Sequence, residues 1–135
     1  MSAIPSGYED LFSDDSQNTF AVIATITPNE IPVTTPIWFL ANEQTIVFSA
    51  SLNSIKYHNI QHNPNVSLCI LKEDNHVRYV EIRGKVTNIT REGWGDFSHR
   101  IKRKYPGGDE PSETAPENMT IFVVSIEKAF GFDYS

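Results

Sequence analysis

Ser49, Ser51 and Asn53 stand just ahead of Lys56, where an apolar strand ending at Phe48 gives way to a helical pattern beginning near Ser54. The first amides of a helix have no internal hydrogen-bond partner and carry partial positive charge, so they attract anions. Lys56 falls in the first turn or so, and its ammonium can reach the same anion as a point charge. Hydroxyls, free amides and one lysine make a phosphate-binding inventory, although serines and asparagine at such a place also serve simply as helix caps. Upstream, Pro32 and Pro36 lie in a strand-like segment, where proline cannot donate to a ladder. They leave the backbone around Thr34 and Thr35 available to a ligand or a partner chain. Trp38 and Phe39 follow as a surface able to receive a flat heteroaromatic ring, though a tryptophan is more often core.

Other reactive side chains offer less. Cys69 is the only cysteine, so neither an intrachain disulfide nor a cysteine-based zinc site can form, and its apolar setting (Leu68, Ile70, Leu71) reads as a buried small hydrophobe. His58, His62, His76 and His99 do not have metal-ligand spacing. Glu81 and Arg83 share one face of a strand and read as an ordinary ion pair. No nucleophile elbow or Walker-type loop occurs. The lack of an acid–base pair agrees with chemistry carried by a cofactor, and equally with no catalysis.

The elements that must position these residues follow from periodicity and turn signals. Strands are expected over residues 19–27, 31–40, 45–49, 65–71, 77–89 and 119–126. Pro28, Asn29 and Glu30 turn the first two into a hairpin. Residues 8–12 read as one or two helical turns. A short helix begins near Ser54 and stops at Asn63-Pro64, because the residue before proline avoids helical geometry. Gly84 marks a bulge in the fifth strand. A second helix runs from about Thr90, a candidate N-cap, to Lys104, with Arg100, Lys102, Arg103 and Lys104 near the end where the macrodipole favours cations. Residues 106–118, rich in proline, glycine and acids, read as a mobile loop, and Phe130, Phe132 and Tyr134 as an aromatic tail. Six strands with short links predict a small closed or nearly closed barrel, with a sandwich as the competing architecture.

Length and charge bound the function. With 135 residues, 39% of them hydrophobic, the chain builds one domain around one core. A formal net charge of −6 disfavours sequence-independent nucleic-acid binding. No apolar run approaches a membrane span and no signal pattern opens the chain, so a cytoplasmic protein is expected.

Phe20 through Thr25 with Ile31 through Phe39 resembles the first hairpin of the pyridoxamine 5'-phosphate oxidase-like, FMN-binding split-barrel proteins. Val47, Phe48 and Ser49 with Lys56, Asn59 and residues 63–66 look like the next block, and residues 78–86 like the long central strand. The resemblance implies a mostly β fold, a six-stranded antiparallel split β-barrel with two or three short helices. It further implies a homodimer with cofactor sites at the interface. Its chemistry would be hydride transfer between FMN, or alternatively the deazaflavin coenzyme F-420, and a small organic substrate. Carried over by position, Thr34, Thr35 and Pro36 would line the flavin ring, with Trp38 beside them. Ser49, Ala50 and Ser51 would line the ribityl–phosphate arm, Lys56 would neutralise the phosphate, and Asn59 would support that loop. Arg78 or Tyr79 would reach the partner's site. Leu52 and Ser54 depart from the deazaflavin-using branch, where arginines are common. A flavin-storing or flavin-sensing module and a cofactor-less structural dimer are the non-enzymatic alternatives.

Overall fold

The computed structural model describes residues 2–16 and 18–135. Its elements run in the order β1 (Thr19–Ile26), β2 (Pro32–Ile37), β3 (Leu40–Ala41), β4 (Thr45–Ser51), α1 (Ile55–His62), β5 (Asn65–Lys72), β6 (Asn75–Thr90), α2 (Trp94–Lys104) and β7 (Met119–Asp133), after a 3-10 turn at Glu9–Leu11. The seven strands form one antiparallel sheet in the order β2-β1-β5-β6-β7-β4-β3. No ladder joins β2 to β3, the two edges, so the sheet is a split barrel rather than a closed one.

Seven strands replace the expected six because the segment read as one strand, residues 31–40, is two. Trp38 and Phe39 leave the ladder, and within those two residues the chain crosses from one edge of the sheet to the other. Pro32 and Pro36 are tolerated because β2 is an edge, paired on one side only, with β1.

Alternation sorts the side chains. Along β1 and β4 every second residue is buried, and the inner rows place Ala21, Ile23, Ile46, Phe48, Phe122 and Val124 in the core. Phe48 and Phe122 stack at 5.0 Å between ring centroids. The opposite rows make an apolar outer face. Val22 pairs with Cys69, Cys69 with Glu81 and Glu81 with Phe130; beside them Phe20, Leu71, Tyr79 and Phe132 form a second row. Cys69 is thus half-buried on that face rather than fully buried, and burial together with Glu81 pushes its thiol pKa up. The Glu81–Arg83 ion pair forms at 2.8 Å in an exposed position.

β6 and β7 run further than the sequence reading allowed, and the aromatic tail is the end of β7, where Phe130 and Phe132 pair with Glu81 and Tyr79. The register slips at Arg83/Gly84. A Cβ on Gly84 would lie 2.5 Å from the Ser125 carbonyl oxygen, which is why this bulge needs glycine. Helix α2 starts later than expected. Gly93, at φ 79°, is its N-cap, while Thr90 closes β6 and its Oγ1 accepts from the Glu92 amide. Among the described residues no helix is long and apolar enough to cross a membrane, and no cluster of His, Cys, Asp and Glu could hold a metal ion.

Candidate functional site

The end of β4 and the start of α1 make a tight junction. Ser54 caps the helix by accepting from the Tyr57 amide at 3.2 Å, and its hydroxyl donates to the Ser51 carbonyl at 2.6 Å. Ser51 Oγ accepts from the Asn53 amide. Two of the serine oxygens therefore serve the turn itself, whereas the Ile55 and Lys56 amides donate to no group among the described residues. Lys56 Nζ donates to Thr35 Oγ1 on edge strand β2 at 3.0 Å, which ties the helix start to the sheet edge. Its ammonium is half-buried and has no carboxylate partner among the described residues, and burial lowers its pKa.

A cavity of about 540 Å³ opens at this junction. It brings together Pro36, Trp38, Ser49, Ala50, Ser51 and Lys56 of the residues singled out by sequence. Thr35 reaches it through Lys56, while Thr34 is exposed along β2 and does not line it. Asn59 lies beneath, buried, and donates from Nδ2 to Thr25 Oγ1 at 3.1 Å, pinning α1 onto β1. Arg78 is held elsewhere by the Asp10 carboxylate and the Gly7 carbonyl, and it keeps the Asp10 pKa down at about 2. Tyr79 stacks on Phe132 on the outer face.

The opposite wall was missed by sequence reasoning. Trp94, Phe97 and Ile101 of α2 and Tyr105, its C-cap, line the cavity, as do Gly108 to Glu110 and Ser112 of the following segment. Their helical spacing was a usable signal, since residues three and four apart share a face. The segment 106–118 has no helix or strand, yet it is fastened to α2. Trp94 Nε1 donates to Ser112 Oγ, Ser98 Oγ donates to the Ser112 carbonyl, and Lys102 Nζ donates to the Gly108 carbonyl at 2.7 Å.

Helix α2 also fixes the two-residue crossing. Lys104, 1% exposed, donates to the Phe39 carbonyl at 3.0 Å and sits 3.8 Å from the Phe39 ring centroid. Tyr105 Oη donates to the Thr19 carbonyl at 2.8 Å, and its ring stacks on Trp38 at 4.8 Å with 2° between planes. Burial raises the Tyr105 pKa to about 12 and lowers that of Lys104 to about 8, the latter opposed by the negative charge of Asp14. The unfolded chain holds the Lys104 proton up to the ordinary 10.5, whereas the folded chain releases it near 8. Between those values the unfolded state binds more protons, so stability rises with pH across that window. Lys104→Met should remove that rise. Urea unfolding of both proteins at about pH 7.5 and about pH 10 measures it, and equal pH slopes would refute the assignment.

These features have relatives. The solved structure of an F420 reductase is 29% identical and superposes with a TM-score of 0.80, over 94% of this chain and 98% of that one. A conserved hypothetical protein from Mycobacterium tuberculosis, Rv2991, is 18% identical with a TM-score of 0.71, covering 98% and 86%. A pyridoxamine 5'-phosphate oxidase-related, FMN-binding protein from Nostoc punctiforme shares the fold at 13% identity and a TM-score of 0.63, covering 94% and 84%. No curated protein matches the chain. The family model for pyridoxamine 5'-phosphate oxidase matches residues 11–133, nearly the whole chain, and the protein belongs to that family.

Proposed function

We propose that this protein is a homodimeric, FMN-dependent oxidoreductase acting on a small organic molecule. The observation that carries the reading is Lys56, a half-buried cation that lines the cavity and has no carboxylate partner among the described residues, at a helix start where the Ile55 and Lys56 amides donate to no group among those residues. That donor set fits a phosphate monoester, since charge-assisted hydrogen bonds are the strong ones. Lys56, the Ile55 and Lys56 amides and Ser49 would hold the phosphate. Pro36 and Trp38, with the unpaired edge of β2 at Thr34 and Thr35, would face the ring. When bound, FMN supplies hydride transfer at its ring system. The chain's own part is to bind it, orient it and limit water through the wall of α2 and the strapped segment 106–118.

The homodimer rests on the outer face, where Val22, Leu71, Tyr79, Phe130 and Phe132 present apolar area across four neighbouring strands. A second copy would cover it.

A deazaflavin of the F-420 type is the second reading, favoured by the 29% identity to an F420 reductase. Titration of the purified protein with FMN and with F-420, read by ligand fluorescence, separates the two. Bound FMN that NADPH reduces is the expected result. Preference for F-420 selects the second reading, and failure to bind either overturns both. Light scattering on the same samples tests the dimer.

A further inference from the structure

Trp38 is 46% exposed although Tyr105 stacks on it. A second hollow, of about 500 Å³, adjoins Trp38 without touching Tyr105, so it meets indole surface that the tyrosine leaves uncovered. Phe20, Pro36 and Ile37 give it apolar walls, and Glu73 and His76 stand at its rim. Glu73 comes from the turn between β5 and β6, and His76 from the start of β6. There the Glu73 amide donates to the Asn18 carbonyl at 2.8 Å, which fixes this turn against the chain entering β1 and Phe20. No lysine or arginine lines the hollow, and the Glu73 carboxylate has no ion-pair partner among the described residues.

An aromatic face is negative and attracts cations, and a carboxylate at the edge of the same slot reinforces the preference. We propose that this hollow binds a planar aromatic molecule carrying a delocalised positive charge or several N–H donors, and that it rejects carboxylates and phosphates. An amidine, a pyridinium or an aromatic amine has that chemistry. The division of labour with the first cavity is then electrostatic, with an anion drawn to Lys56 and a cation to Glu73. The two hollows share Pro36, Ile37 and Trp38 as a common wall. That the ligand is the organic substrate rests on the cofactor reading above; its binding to the hollow does not.

Benzamidine, benzamide and benzoate carry one ring with a positive, a neutral and a negative group, and calorimetric titration of the full chain ranks them. Benzamidine should bind about tenfold more tightly than benzoate, with benzamide between them. Glu73→Gln should bring benzamidine to the level of benzamide, and Trp38→Leu should weaken all three. Equal affinities in the wild-type protein, or benzamidine binding unaltered by Glu73→Gln, would overturn the proposal. FMN titrated into the same preparations reads the cofactor site separately. A chain that ignores FMN and still ranks the probes in this order upholds the hollow and overturns the cofactor reading. A chain that binds FMN without ranking them does the reverse.

Discussion

Replacing Lys56 by methionine should raise the dissociation constant for FMN about 30-fold while leaving the cofactor-free protein as stable as before. The first half follows from the worth of a charge-assisted hydrogen bond, about 1.5–3 kcal/mol, where 1.4 kcal/mol is a factor of ten. The second half follows from the environment of the ammonium. Burial lowers its pKa, so the fold holds this charge at a cost relative to water. Its protein hydrogen bond is to a neutral hydroxyl, Thr35 Oγ1, and it has no carboxylate partner among the described residues. Methionine keeps the apolar stem and removes the desolvated charge. A residue kept for structure would show the opposite pattern, with a lower melting temperature and unchanged affinity. Fluorescence titration with FMN and thermal melts without it separate the two, and Lys56→Arg should retain most of the affinity.

Phe48→Ala should instead cost the cofactor-free protein about 3–5 kcal/mol of stability, as deletion of a buried aromatic does. For a chain of this length that is a drop in melting temperature of roughly 10–18 °C. Phe48 is fully buried, stacks on Phe122 and immediately precedes Ser49 in β4. The cavity left behind lies under the strand that delivers the junction residues, so FMN affinity should fall as well. Phe48→Leu fills most of the space and should lose less than half as much. Chemical unfolding of the three proteins tests the order, and an alanine variant as stable as wild type would mean that the sheet repacks freely around Phe122.

Sequence patterns made β1 and β4 legible because an antiparallel sheet with one buried face writes its alternation directly into the chain. The β4–α1 junction was legible for a similar reason, since Ser54 caps α1 and Asn63-Pro64 ends it within a few residues of the helix they bound. The break at Trp38-Phe39 carries no such local mark. Two aromatics continuing an apolar run read as strand, and what takes them out of the ladder is Lys104 and Tyr105 from the end of α2. The distal wall of the cavity escaped for the same reason. Trp94, Phe97 and Ile101 look like core residues of an amphipathic helix, and only the tertiary arrangement turns part of that face toward Lys56. Gly93 displaced Thr90 as the cap because β6 keeps Thr90 paired with Ile121.

The split in the sheet has a consequence for how the chain is made. Hairpin β1–β2 and strands β5 and β6 pair with near neighbours in sequence or close a modest loop, but β4 finds its long ladder only in β7, where Thr45 meets Ser125 and Ser51 meets Met119. Long-range pairings of this kind form late, because the intervening chain must be ordered first. During synthesis the residues 49–56 leave the ribosome early, and β4, paired until then only with the two-residue β3, waits for nearly the whole remaining chain before its long ladder can form. The Lys56 corner is therefore translated well before most of the opposite wall and is among the last parts of the cavity to be assembled, and a chain cut short before residue 119 keeps Lys56 but lacks β7, the long-ladder partner of the strand that leads into it.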